Sequence, residues 1–420
     1  MDVDVVVIGG GPAGLTAAKE IAERGGSVAV LDENSQWGGK LLGQLHEDPA
    51  EGHWWRGKEI AEKLVKEAVS AGVELIPETV VWGLEQGWTV HIAHALNRSN
   101  SVGCIRAKAV LLATGAVEKP LPFSGWTLPG VMTIGAAQVL TNVYRVRPGK
   151  KVLVAGIDVL SLTIARSLTL AGVEVVGIVL PQQSEWNEEK GLPKEVLKQL
   201  KTMTHLAPNR WLRMGGAVLN SDVGVELAAR FYPKSGMKVW GIPIQLKKVL
   251  VAVHGKEQVT GAEVSAIDAD GRIIHGTSTV LPVDAVCLSG GLTPLAELAA
   301  AVGCRFARLN GLNGAVPLHG PTMETTVSNL FVAGNITGIE GAKIAMVQGE
   351  AAGKSMCQRL GIGNVTDQDI QAAVNKVKQV RDTMDIQFHP HIKAARARLD
   401  ELWEKERKEK ILDPSISLYA

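Results

Sequence analysis

The stretch Asp4-Val5-Val6-Val7-Ile8-Gly9-Gly10-Gly11-Pro12-Ala13-Gly14, running on to Val28-Ala29-Val30-Leu31-Asp32-Glu33, decides the fold. An apolar run bounded by glycines reads as a buried parallel strand, and Leu15 to Arg24 reads as the helix it feeds, so the chain opens as a βαβ unit. In such a unit Gly9 permits the tight turn out of the strand and Gly11 lets backbone approach a pyrophosphate. Gly14 lets helix and strand pack closely, and Pro12 and Ala13 sit in the first helical turn, where phosphate oxygens would meet free N–H groups. Asp32 lies eighteen residues after Gly14, at the end of the second strand, where a carboxylate accepts ribose hydroxyls; Glu33 is the alternative. Strand, glycines, helix, second strand and acid occur in order, and together they predict a dinucleotide site.

Working outward, 420 residues suit two or three domains with ample core. The 44 basic and 43 acidic residues nearly cancel, leaving no long-range field to attract nucleic acid or an anionic membrane. Met1-Asp2-Val3-Asp4 carries no basic leader, so the expectation is a cytoplasmic protein without a transmembrane segment. Cys104, Cys287, Cys304 and Cys357 are scattered without a CxxC or nearby histidines, and His389-Pro390-His391 lacks a third ligand, so no metal site is expected.

After Asp32, Gln36-Trp37-Gly38-Gly39-Lys40 is a glycine turn that either carries backbone towards a cofactor or is a bare loop. His46, His53, Trp54 and Trp55 either line a surface or belong to a covering loop. Lys58 to Ala71 reads as an amphipathic helix, and Val73–Ile76, Thr79–Leu84 and Trp88–Ile92 read as strands. Ala109 to Leu112 is a buried strand ending in Ala113-Thr114-Gly115, small residues that leave room for a cofactor. Thr133 to Tyr144 reads as a helix.

A second βαβ frame follows in Lys151–Ala155, Leu160–Ala171 and Val173–Leu180, but its chemistry is missing. In Gly156-Ile157-Asp158-Val159-Leu160-Ser161 an aspartate takes the place of the second glycine and a serine that of the third, and no acid follows Leu180. The frame reads as a nucleotide fold kept for its shape. Pro193–Lys201 reads as a helix, Ala217 to Val280 as strands, and Asp268 to Gly271 as a hairpin turn. Thr293-Pro294 is expected to open a helix from Leu295 to Ala301. Near Leu330-Phe331-Val332-Ala333-Gly334-Asn335, a strand, a polar residue, a glycine turn ending at Gly341 and an apolar helix from Ala342 would point a side chain and free N–H groups at one ligand. The tail after Gly363 reads as helices, with Ile392, Ala395, Leu399 and Leu402 as the docking stripe. The pairs Glu401–Lys405, Glu404–Lys408 and Glu406–Lys410 would form its solvated face.

Pro122-Phe123-Ser124-Gly125-Trp126-Thr127-Leu128-Pro129-Gly130-Val131-Met132-Thr133 with Gly135-Ala136-Ala137-Gln138, supported by Val283–Leu298 and Val332–Gly353, resembles the two-dinucleotide-binding-domain flavoproteins. Within them the pattern is most similar to alpha-type subunits of heteromeric amine and amino-acid dehydrogenases: opine oxidase, hydroxyproline and L-proline dehydrogenases, hydrogen cyanide synthase and sarcosine oxidase. The resemblance implies an α/β fold of two Rossmann-like domains, the second inserted in the first, plus a helical tail. The expected division is 1–145 and 283–363 for the FAD-binding domain, 146–282 for the NAD(P)-like domain and 364–420 for the tail.

It also implies FAD held by Gly9, Gly11, Gly14, Asp32 and the 334–342 turn, or another adenine nucleotide such as ATP or NAD in the same place. Asn335 stands where the family usually carries aspartate, and a cysteine-free tail replaces the iron-sulfur or folate-binding segment of many relatives. The implied partner is a flavoprotein subunit that oxidises the substrate C–N bond; the optional third component is a small iron-sulfur subunit. Two other readings remain: a stand-alone NAD(P)H-dependent flavin or disulfide reductase, and a non-catalytic nucleotide-binding scaffold. No constellation of catalytic residues is recognisable, so none is assigned.

Overall fold

The structure, a computed structural model, describes residues 1–48, 53–94, 102–183, 190–201, 221–384 and 387–412. The elements needed below are, in chain order, β1 (Asp2–Ile8), α1 (Pro12–Ala22), β2 (Val28–Leu31), β3 (Val102–Leu112), β4 (Lys151–Ala155), α2 (Val159–Leu170), β5 (Glu174–Pro181), β6 (Ala285–Leu288), β7 (Leu330–Val332), α3 (Ala342–Leu360), α4 (Asp367–Thr383) and α5 (Ile392–Leu412). By packing, the chain divides into a unit made of 1–42, 57–117 and 292–420, and a second unit, 43–56 with 118–291, inserted in its sequence.

In the first unit the strand order is Glu74–Ile76, β2, β1, β3, then the antiparallel hairpin Thr89–His94 and Thr79–Glu85. β7 adds in parallel to the end of β3, with Leu330 opposite Val110 and Val332 opposite Leu112. β1 is apolar on both faces because both are covered. Val5 and Val7 join Leu15, Ile21, Phe331 and Met356 in one core, whereas Val6 and Ile8 join Trp88, Val90, Ile92 and Ile336 in another. α3 crosses α1 at backbone contact: a Cβ on Gly349 would lie 2.2 Å from the Ala13 carbonyl oxygen, and one on Gly353 would lie 2.9 Å from that of Ala17.

α4 and α5 belong to this unit. Ile392, Ala395, Leu399 and Trp403 bury against Ala307, Leu312, Val316 and Leu318, and burying Ile392 and Leu399 contributes roughly 1.5–3 kcal/mol each. The expected docking stripe is therefore in place, with Leu402 partly buried beside it. The charged face is not wholly solvated: Glu406 turns inward to pair with Arg305 at 2.5 Å, while Glu401 pairs with Arg398 at 2.6 Å. The side chain of Lys410 lies outside the described residues.

The inserted unit has the strand order Val131–Thr133, β6, β4, β5, Ile242–Gly255, Val259–Ala266, Thr279–Leu281. Its first four pairings are parallel and its last two antiparallel. Two sequence expectations give way. Asp222–Phe231, within the stretch read as strands, is a helix capped by the Ser221 hydroxyl, which accepts from the Gly224 N–H at 3.0 Å; residues 217–220 lie outside the described ones. Leu292–Pro294 is a short strand, and the helix after it runs only from Glu297 to Ala301, so Pro294 ends an extended segment instead of starting a helix. Among the described residues no helix is long and apolar enough to cross a membrane.

Candidate functional site

The site is built in the first unit around the turn from β1 to α1. Gly9 has φ +109°, and a Cβ there would lie 2.3 Å from the Ala113 carbonyl oxygen, so only glycine lets the chain turn against β3. A Cβ on Gly14 would meet the Gly9 oxygen at 2.0 Å, which is the close strand–helix approach expected of it. Gly11 differs: a Cβ would meet nothing within 4 Å. Its hydrogen faces space that a ligand's phosphates could fill. Gly11 is the N-cap of α1, with Pro12 next, no side-chain cap and no acid in the first turn. The helix N-terminus is left to attract negative charge.

Asp32 is buried, and both its oxygens are engaged. Oδ2 accepts from the Gly10 N–H at 2.7 Å, and Oδ1 accepts from the Asn34 N–H and Nδ2, each at 2.9 Å. Asp32, read from the sequence as the ribose acceptor, thus also braces the glycine turn, with acceptor capacity left on Oδ2, and Glu33 is exposed beside it. The loop from Gln36 to Lys40 folds back on the same turn. Gly38 N–H donates to the Gly10 carbonyl at 2.8 Å, Trp37 covers Gly10, and Gly39 sits against Gly11, so a Cβ on Gly39 would lie 3.3 Å from the Gly11 Cα. Of the two readings of this loop, the structure supports backbone held at the turn, with Lys40 exposed at its edge.

The end of β3 arrives opposite. Ala113 N–H donates to the Ile8 carbonyl at 2.8 Å. The Thr114 hydroxyl donates to the Leu295 carbonyl at 2.5 Å, and Leu295 N–H donates to that of Gly115 at 3.1 Å. Thr114 therefore ties two loops together, while a Cβ on Gly115 would meet open space.

The fourth segment is Gly334 to Ala342. A Cβ on Gly334 would lie 3.1 Å from that of Ala13, so this turn abuts the first turn of α1. Gln348, buried in α3, accepts from the Gly334 N–H at 2.9 Å and donates to the Thr337 hydroxyl at 3.2 Å. Asn335 Oδ1 accepts from the Glu340 N–H at 3.2 Å, so the carbonyl end of the amide shapes the loop. α3 then starts at Gly341, again with no side-chain cap and no acid in its first turn. Two uncapped, glycine-led helix N-termini thus belong to one unit, with α3 crossing the first turn of α1 at Gly349, which suits an extended ligand with anionic and polar groups.

One constellation escaped the sequence reading. Glu340 receives Arg381 (Nε to Oε1, 2.6 Å) from α4 and Arg396 (Nη2 to Oε2, 2.5 Å) from α5. Burial alone would raise the Glu340 carboxyl, but the two guanidinium groups outweigh it and hold it below the usual carboxylate range. His319, buried next to this cluster and bonded to the Pro317 carbonyl at 2.7 Å, is pushed down to about 3 by burial and by Arg396, which keeps it neutral.

The corresponding turn of the inserted unit is closed. Gly156 repeats the geometry of Gly9, with φ +109° and a would-be Cβ 2.3 Å from the Ser289 oxygen. Where Gly11 leaves space, however, the Asp158 side chain caps α2 by accepting from the Ser161 N–H at 2.9 Å. It also accepts from Lys190 Nζ at 2.9 Å and from the Ser289 hydroxyl at 2.9–3.0 Å. Burial would raise the Asp158 carboxyl, but Lys190, the Ser161 N–H and Ser289 together hold it below its ordinary value. The protein's own carboxylate occupies the place a phosphate would take.

Near this turn, Arg166 lies between the rings of Trp54 (5.3 Å) and Trp240 (4.8 Å) and reaches Glu47 with two bonds of 3.0 and 3.1 Å. Trp54 thus packs inside the inserted unit, as does Trp55, which stacks with His46. Among the described residues no group of three or more His, Cys, Asp or Glu is placed to hold a metal.

Residues 3–203 match the pyridine nucleotide-disulphide oxidoreductase family. The chain is 28% identical to an opine oxidase component from Rhizobium meliloti, covering 86% of this chain and 64% of that one. It is 27% identical to the HcnB component of hydrogen cyanide synthase from Pseudomonas aeruginosa, covering 85% and 71%. The structure of L-proline dehydrogenase from P. horikoshii superposes with a TM-score of 0.63 at 19% identity, covering 90% of this chain and 59% of that one. The chain spans about two-thirds of the length of these relatives. The expected resemblance to alpha-type dehydrogenase subunits is borne out, as is the fold of two Rossmann-like units with a helical C-terminal region, that of the flavin- and nucleotide-linked oxidoreductases.

Proposed function

We propose that this chain is an FAD-dependent oxidoreductase subunit of a hetero-oligomeric amine or amino-acid dehydrogenase, of the proline, hydroxyproline, opine or sarcosine type, relaying electrons from a partner flavoprotein subunit. The observation that carries the reading is that α1 and α3, which cross at Ala13 and Gly349 in one unit, both start uncapped from glycines, Gly11 and Gly341. The adenosine and pyrophosphate would lie on Gly9, Gly11, Pro12, Ala13 and Gly14, with Asp32, which also braces the turn, accepting from the ribose and Glu33 as the alternative. Gly39 and Lys40 would flank the phosphates, and Ala113, Thr114 and Gly115 would leave room for the ring system. Gly334, Asn335, Gly341 and Ala342 would meet its polar edge. FAD would supply the electron-accepting ring, whereas ATP or NAD in the same place would make the chain a nucleotide-holding scaffold.

Support for a subunit role comes from the relatives, which are themselves named as subunits. A stand-alone NAD(P)H reductase would need the second turn open, and Asp158 closes it. An absorbance spectrum of the purified chain, with heat-released nucleotide identified by mass, should show flavin. Turnover of proline, sarcosine or an opine by the chain alone, with a dye as acceptor, would contradict the subunit reading.

A further inference from the structure

The C-terminal helices carry the only arginines among the described residues that pair with Glu340, and their bonds reach past it to the nucleotide turn itself. Arg396 Nη1 donates to the Thr337 carbonyl at 2.6 Å, and Nη2 donates to the Thr337 hydroxyl at 3.2 Å as well as to Glu340. Thr337 in turn donates to the Gly334 carbonyl at 2.8 Å, and the Glu340 N–H donates to Asn335. A single guanidinium from α5 is therefore joined, through Thr337 and through Glu340, to Gly334 and Asn335 at the start of the segment that faces the proposed ligand, and Glu340 itself lies next to the N-cap of α3. Gly338, with φ +124°, lies between them; a Cβ there would be 3.0 Å from Arg396 Nη2, so the loop is wrapped directly over the arginine. Arg396 is 7% exposed and its Nε has no hydrogen-bond partner. Holding such a cation out of water is costly unless its bonds do structural work.

We propose that the tail helices α4 and α5 serve the nucleotide site, with Arg396 and Arg381 as positioning residues that hold Asn335 and the start of α3 in the ligand-binding arrangement. The inference rests on the reading of residues 334–342 as ligand-facing. The tail sets the shape of the turn through Thr337 and Glu340. Arg381, the less buried of the pair, adds a second grip on the same carboxylate.

The test uses the full chain stripped of nucleotide, with FAD rebinding followed by flavin fluorescence and the melting temperature of the stripped chain measured alongside. Arg396→Ala should bind FAD at least about tenfold more weakly, or ~1.4 kcal/mol. Arg396→Lys should recover part of that loss, because one ammonium can serve Thr337 or Glu340 but not both with the same fork. Should Arg396→Ala not fold, Arg381→Gln leaves the Arg396–Glu340 pair intact. It should weaken FAD roughly threefold, or ~0.65 kcal/mol, when binding is measured well below the melting temperature of the stripped variant. FAD affinity equal to wild type in the folded variants would overturn the positioning role. A wild-type chain that binds no FAD would instead overturn the nucleotide reading beneath it.

Discussion

The two βαβ turns of this chain share a backbone and differ in chemistry. Gly9 and Gly156 have the same φ, and each N–H donates at 2.8 Å to the neighbouring strand, to Leu31 and Val179 respectively. Each is pressed against the strand opposite, at Ala113 in one unit and Ser289 in the other. The helix that follows begins at open Gly11 in the first and at Asp158, with its own cation and hydroxyl donor, in the second. The first glycine is thus a requirement of the fold, since the turn cannot be made otherwise, whereas the second is a requirement of the ligand. A unit can lose the second and keep its shape, provided that something else satisfies the helix N-terminus.

The largest effect should come from breaking what the turns share. Gly9→Ala or Gly156→Ala puts a Cβ within 2.3 Å of a carbonyl oxygen, and the combined clash and backbone strain should cost several kcal/mol, on the order of 3 or more, in either unit. Circular dichroism and thermal melting would register both as folding defects; a well-folded Gly156→Ala would show the likeness to be superficial.

Next comes the seal. Asp158→Ala removes the cap of α2 and strands Lys190 with its partner gone, at a cost of roughly 3–5 kcal/mol. The double variant Asp158→Ala/Lys190→Ala should regain part of that, and neither should change the nucleotide content of the folded chain. In the wild type, anaerobic mixing with excess NADH or NADPH should leave the flavin band unbleached; rapid bleaching would mean that the second turn is open after all.

Gly11→Val acts in the opposite sense. Its Cβ meets no protein atom, so the melting temperature of the nucleotide-free chain should stay put, while nucleotide affinity falls about a hundredfold or more, ~2.7 kcal/mol. Smaller again is Glu33→Ala, which removes only the alternative, exposed acceptor and should weaken nucleotide binding by less than about 1 kcal/mol without altering stability. Asp32→Ala should lower both stability and binding, because it unfastens Gly10 and Asn34. Equal loss of binding in the two acid variants would contradict the assignment of the ribose to Asp32.

The smallest effect is a pH dependence. Asp158 and Glu340 are both held below the ordinary carboxylate range by their cationic partners. Their contribution to stability is therefore complete above the unfolded values of about 4 and is lost as pH falls through the lower folded ones. Acid titration of melting temperature should fall more steeply below about pH 4 in the wild type than in the Asp158→Ala/Lys190→Ala variant.

The opening turn was legible because its determinants are local: apolar run, glycines and acid lie within thirty-three residues, and each has one physical reason to be there. The degenerate frame at Gly156 was legible for the same reason, as a departure from that spacing. What closes it was not, since Lys190 and Ser289 lie 32 and 131 residues from Asp158. The same holds for the grip on Glu340, whose partners are 41 and 56 residues away on helices whose charged residues read naturally as solvated. The bracing bonds of Asp32 are invisible in sequence because an acid at a strand end looks alike whether or not it also holds its own turn. The helix Asp222–Phe231 could have been found, because Val223, Leu227 and Phe231 recur at i, i+4 and i+8, a helical period in a stretch read as strands.

Counting the adenine nucleotides released from the purified chain, per mole of polypeptide and with their masses, tests the contrast between the two turns most directly. One nucleotide per chain, lost in Gly11→Val and kept in Asp158→Ala, is the predicted result. None in the wild type, two per chain, or one that survives Gly11→Val would contradict the assignment of an open turn at Gly11 and a sealed one at Asp158.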